Sequence, residues 1–219
     1  MRVLTVLVAA ALLGAAGCGS EDPPAPDVAV RDDAASAHAA HTAATESGAP
    51  DPVEGTSLYV LPGTWTDQAG HSRTLSDLRG RPQVVVMAYT HCAYACPALV
   101  ARMKQIEAAF EGRPASARPG FVLVSIDPER DTPGRLTEFA ESMRLDAEDW
   151  VLLNGPDDQV RALSVLLGVA YRATGTGDFA HSNVLTVLDA AGAIQHRTEG
   201  LSGGVDAAVD ALERLLPQP

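Results

Sequence analysis

Cysteine is scarce in this 219-residue chain: Cys18, Cys92 and Cys96 are all it holds. A scaffold stapled by several disulfides is therefore excluded, and one bridge across the short Cys92 to Cys96 loop would remove little chain entropy. Positive charge is also in short supply. Sixteen lysines and arginines stand against 28 acids, for a formal net charge of -12, so no basic stripe is available to follow a phosphate backbone and nucleic acid is excluded as a partner. No apolar run is long enough to cross a bilayer comfortably, since the longest, near the amino terminus, falls short of the ~20 residues a spanning helix needs. No internal repeat is present, which sets aside solenoids and propellers.

What is present begins with a targeting segment. Arg2 is followed by apolar and small residues through Ala16, the pattern of an export signal. The run ends Ala15-Ala16-Gly17-Cys18, which resembles a bacterial lipobox, in which the cysteine is lipidated and becomes the first mature residue. Residues 1–17 are thus expected to be a signal peptide, with Cys18 the lipidation site. The alternative is an uncleaved signal anchor with Cys18 a bystander. Both place the folded part outside the cytoplasm, in an oxidising compartment of the bacterial cell envelope. Residues 18–54 are Ala, Pro, Asp and Ser with almost no large apolar side chain, and cannot offset the entropy of ordering. They are expected to form a disordered, lipid-anchored tether, carrying Glu21, Asp22, Asp27, Asp32, Asp33, Glu46, Asp51 and Glu54 against Arg31 alone. His38 and His41 lie in this stretch and read as solvated linker histidines, without the fixed geometry a metal site needs.

Residues 55–219 read as one folded domain. Gly63 to Thr66, a turn at Asp67 to Gly70, and His71 to Thr74 form an expected hairpin, followed by a short turn or helix at Leu75 to Leu78. Gln83 to Tyr89 and Phe121 to Ile126 are nearly continuous apolar runs, the mark of strands buried on both faces. Leu99, Met103, Ile106 and Phe110 repeat at helical spacing after Pro97, and further helices are expected over Arg135 to Met143, Asp157 to Leu167 and Val205 to Leu216. Strands at Trp150 to Leu153, Val184 to Leu188 and Ala193 to Arg197 complete an α/β pattern, a mixed central sheet flanked by helices. The order of elements fits a thioredoxin-like fold, which by itself supplies no function.

The chemistry concentrates in Tyr89-Thr90-His91-Cys92-Ala93-Tyr94-Ala95-Cys96-Pro97, where a buried strand gives way to a helix. Ligands in open α/β sheets gather beyond the carboxyl ends of strands, and a helix amino terminus favours the thiolate of a nearby cysteine. Two such thiols can form a disulfide, hold a metal or alternate between the two, and thiolates are soft donors suited to Cu(I) and also to Zn(II).

At these residues the chain resembles the Sco (also called SenC) family of copper proteins, which are associated with assembly of the copper centre of cytochrome c oxidase. The likeness is carried by the cysteine pair followed by Pro97, by Ser125-Ile126-Asp127-Pro128-Glu129-Arg130-Asp131-Thr132-Pro133, by Trp150 to Gly155, and by Ala180-His181-Ser182 before a strand ending Val187-Leu188-Asp189. The resemblance implies a copper site built from Cys92, Cys96 and His181, binding Cu(I) or Cu(II). It also implies a metallochaperone with a client copper protein, an oxidase subunit being the expected one. Between the cysteines stands Ala93-Tyr94-Ala95, where family members often carry proline or an acidic residue.

The residues support His181 over the other histidines. Its loop precedes a strand next to the cysteine-bearing end of a thioredoxin-like sheet, whereas His71 and His196 lie in hairpins, and His91 adjoins Cys92 too closely to close a good chelate. The alternative is that His181 is an ordinary polar loop residue. Asp127 and Asp131 read as turn and cap chemistry around Thr132 and Pro133, and at most as residues that support a ligand or dock a partner. The alternative function is a thiol-disulfide oxidoreductase that reduces the copper-site cysteines of a client through Cys92 and Cys96 as its redox pair. Against a general thioredoxin stand the three residues between the cysteines and the absence of proline between Pro156 and Pro217, where thioredoxins place a cis-proline. A peroxiredoxin fits least well.

Overall fold

The computed structural model describes residues 56–92, 95–175 and 177–217. The expected signal peptide, Cys18 and the tether lie outside the described residues. After a short 3-10 turn at Leu58–Val60, the chain forms β1 (Trp65–Asp67), β2 (Ser72–Arg73), a second 3-10 turn (Leu75–Leu78), β3 (Gln83–Ala88), α1 (Ala95–Ala109), a third turn (Ala115–Ala117), β4 (Gly120–Ser125), α2 (Pro133–Met143), β5 (Trp150–Asn154), α3 (Asp157–Leu167), β6 (Tyr171–Ala173), β7 (Phe179–His181), β8 (Val184–Leu188), β9 (Ile194–Glu199) and α4 (Asp206–Leu215).

The main sheet is seven-stranded, in the order β2-β1-β5-β4-β3-β8-β9. At its centre β3, β4 and β5 run parallel, with Val85 opposite Val122 and Ala88 opposite Ser125. Every residue of β3 and β4 is buried, as continuous apolar runs demand when helices cover both faces. β8 pairs antiparallel with β3, and β9 with β8. Leu99, Met103 and Ile106 put one face of α1 into the core, where α1 packs on β3 and α4. Leu163 of α3 lines a small apolar void together with Val85, Val122, Val124, Leu58, Tyr59, Leu75 and Leu78. α2 lies against β1 and β5. Its start bears out the expected cap: Thr132 accepts a hydrogen bond from Arg135 N–H, and Pro133 occupies the first turn.

The mixed α/β architecture expected from the sequence is the one observed. One feature is not expected from the sequence, a separate two-stranded ribbon of β6 and β7, with Tyr171 opposite His181 and Ala173 opposite Phe179. His181 therefore ends a strand, where a loop was expected. The strands escape notice because each has three half-buried or exposed residues and no apolar alternation.

Candidate metal centre

The parallel strands bring their carboxyl ends to one edge of the sheet, and the site forms there. Past Ala88 the chain turns sharply, with Cys92 N–H donating to Tyr89 C=O at 3.4 Å. α1 then begins at Ala95, so Cys96 sits in its first turn, close to main-chain N–H groups that have no intrahelical acceptor. Tyr89 N–H donates to Cys96 Sγ at 3.4 Å. Cys96 is fully buried, Cys92 is half-buried, and no disulfide joins them.

Burial pushes the Cys96 thiol far above the ordinary 9.0; the Tyr89 N–H works against this, and the neighbouring Cys92 and Asp131 reinforce it. Burial at Cys96 thus opposes the thiolate that a helix terminus is expected to favour. A thiolate at this position requires a cation close by, and a coordinated metal, which deprotonates its thiol ligands outright, is such a cation.

His181 reaches the cysteines from the end of β7. Its Nδ1 lies 3.2 Å from Ser182 C=O, a partner that fixes the proton on Nδ1 and leaves a lone pair on Nε2. That Nε2 is buried and has no hydrogen-bond partner. Burial lowers the pKa of His181 below 6.5, opposed by the Ser182 carbonyl, so the ring is neutral and able to donate a lone pair near neutral pH. One donor atom from each of Cys92, Cys96 and His181 lies within 4.8 Å of the others, and among the described residues these three are the group able to hold a metal ion. Two sulfurs and an orphaned imidazole nitrogen suit a soft or borderline metal.

The other described histidines are not part of this group, and His38 and His41 lie outside the described residues. His71 is beside Asp67 at 3.4 Å, and His196 contacts Thr198 Oγ1 at 2.9 Å on β9. His91 Nε2 is 3.3 Å from Asp127 Oδ2, close enough for an ion pair when protonated but out of line for a hydrogen bond.

One residue central to the site has no role that the sequence alone assigns. Tyr89 packs edge-on against His91, Phe179 and His181, with centroids at 4.7, 5.4 and 5.8 Å. Its hydroxyl accepts from Phe179 N–H at 3.3 Å and faces Phe179 C=O at 3.5 Å, drawing the ribbon toward the cysteine loop. Arg130 adds a second tie, donating to Gly177 C=O and to Asp127 at 2.5 Å. A buried aromatic directly after the strand, just before the cysteines, was the available signal, but its contacts depend on a ribbon the sequence did not reveal.

Among the described residues no helix is long and apolar enough to cross a membrane. The profile of the SCO1/SenC family matches residues 55–216. The SCO1 protein homolog of Bacillus subtilis is 29% identical over 96 residues, covering 44% of this chain and 49% of that protein, so the matched stretch is about half the relative's length. A SCO1/SenC family lipoprotein from Bacillus anthracis superposes with a TM-score of 0.65 at 22% identity, over 75% of this chain and 97% of that one. ScoI of Bradyrhizobium japonicum, whose structure holds copper, superposes with a TM-score of 0.59 at 24% identity, over 71% of this chain and 98% of that one. The family profile spans the whole folded part, the thioredoxin-like architecture agrees with it, and the chain belongs to the SCO1/SenC family.

Proposed function

We propose that this protein binds copper through the thiolates of Cys92 and Cys96 and the imidazole of His181, and delivers it to a copper enzyme of the cell envelope, the copper centre of a cytochrome c oxidase subunit being the expected destination. Copper is cargo in this reading. The observation that carries it is the convergence of two sulfurs and a ring nitrogen of His181 within 4.8 Å of one another, on an imidazole whose buried Nε2 has no hydrogen-bond partner. Thiolates suit Cu(I), the added nitrogen accommodates Cu(II), and one site can therefore hold either state. The copper-bound ScoI structure supports the choice of metal. The domain works outside the cytoplasm, held to the membrane by lipid on Cys18 and the tether of residues 18–54.

The test is stoichiometry under competition. The reduced protein should retain one copper ion against a Cu(I) chelator, and Cys92→Ala or Cys96→Ala should each abolish tight retention. Stoichiometric copper in a variant lacking both sulfurs would overturn the assignment.

One observation favours a second reading, reduction of a client's copper-site cysteines. The two thiols differ in access, Cys92 being half-buried and Cys96 enclosed, which suits attack by Cys92 on a client disulfide and resolution by Cys96. The net reaction would convert a client disulfide to two thiols and the Cys92, Cys96 dithiol to a disulfide. Turnover of a disulfide substrate by the metal-free protein, lost in Cys92→Ala, would favour it.

A further inference from the structure

Asp131 is completely buried, and none of its oxygens meets an arginine, lysine or histidine within ion-pair distance among the described residues. Its carboxylate is satisfied by hydrogen bonds instead. Thr90 Oγ1 donates to Oδ1 at 2.6 Å, Ser125 Oγ donates to Oδ2 at 2.6 Å, and Thr90 N–H points between the two oxygens at 3.1 and 3.3 Å. The main chain of Asp131 is held as firmly, its N–H donating to Asp127 C=O at 2.9 Å and its C=O accepting from Asn154 Nδ2 at 2.6 Å. The carboxylate thus joins the residue that closes β4 to the segment that leaves β3, and the main chain of the same residue is tied to a side chain from the end of β5.

Thr90 is the point of that segment which matters chemically. It lies between Tyr89, whose main chain contacts both cysteines, and the His91-Cys92 turn. Leaving a buried carboxylate without one of its donors is costly, so the bonds to Thr90 are firmly kept. We propose that Asp131 is a positioning residue for the metal centre: through Thr90 it fixes where the strand hands over to the loop, and so sets the place of Cys92 relative to Cys96 and His181. The inference rests on the copper reading above for its metal readout, and on the thiol itself for a second readout.

Asp131→Asn disturbs a buried hydrogen-bond network and could unfold the domain, so the decisive variant is Thr90→Val, which is close in shape and removes the hydroxyl while leaving the main-chain bond. Its conservative counterpart is Thr90→Ser. Two quantities are compared with the wild-type protein, Cu(I) retention against a chelator and the rate at which iodoacetamide alkylates Cys92 in the reduced, metal-free protein. Outer contacts of this kind are worth on the order of ten-fold or more in metal affinity. Thr90→Val should lose about that factor and change the alkylation rate several-fold, and Thr90→Ser should restore both. A Thr90→Val protein that melts lower but keeps wild-type affinity and alkylation rate would overturn the inference, leaving Asp131 a fold determinant alone. Should the wild-type protein retain no copper, the copper reading fails and alkylation decides: a changed rate restored by serine upholds the positioning role, and an unchanged rate removes it.

Discussion

A buried imidazole takes up a proton reluctantly, and His181 is so placed. In the unfolded chain it protonates near 6.5, whereas in the folded protein it stays neutral to lower pH. Its contribution to stability is therefore present in full above the unfolded value and is lost as the pH falls through the lower folded one. Burial lowers His196 as well, with Arg214 adding to the effect, so the test must be differential. Thermal melts of wild-type protein and His181→Gln, compared from pH ~7.5 to ~4.5, should show a shallower acid loss in the variant. With copper present, His181→Ala should weaken Cu(II) by an order of magnitude or so while changing Cu(I) less, because Cu(II) gains more from nitrogen, and the electron-spin spectrum should lose its nitrogen coupling. Unchanged spectra together with lost thiol exchange would move His181 to an acid–base role in a reductase. At this scale the cysteines were legible in the sequence because their spacing is local, and His181 because the family resemblance singles it out. The link between Thr90 and Asp131 was not, since 41 residues separate them and the parallel register of β3 and β4 is what brings them together.

Among the elements, β5 and the turn after it show how close packing reaches the site from behind. Asn154 ties the Pro128 and Asp131 carbonyls, and the next residue, Gly155, lies against the ring of Trp65, which has no exposed surface. A Cβ at Gly155 would fall 2.4 Å from Trp65 Cε3, so the glycine is required by contact with a rigid neighbour. Gly155→Ala should cost about 1–3 kcal/mol in denaturant unfolding, the usual penalty for overpacking a filled core. An unchanged midpoint would mean the ring has room to move. The sequence revealed β3, β4 and β8, whose long apolar runs announce burial, and revealed nothing of β6 and β7. Those strands are held by a tyrosine hydroxyl and an arginine from distant parts of the chain, and a local pattern carries no trace of such ties.

For the molecule as a whole, the proposed anchor predicts where the domain resides. Cys18→Ser should shift the protein from the membrane to the soluble fraction without altering the melting temperature of the folded part, because the proposed tether contributes nothing to the core. Membrane retention of that variant would point to an uncleaved signal anchor. The sheet itself carries one more consequence. Cys92 and Cys96 belong to the crossover from β3 to β4, while His181 arrives only with the ribbon that precedes β8. A chain that emerges amino terminus first, from a ribosome or a translocation pore, presents its two thiols to the surroundings well before the imidazole. During that interval the sulfurs face oxidants and stray metals without the third donor, so the time taken to thread the remaining strands is also the time in which this protein is most easily spoiled.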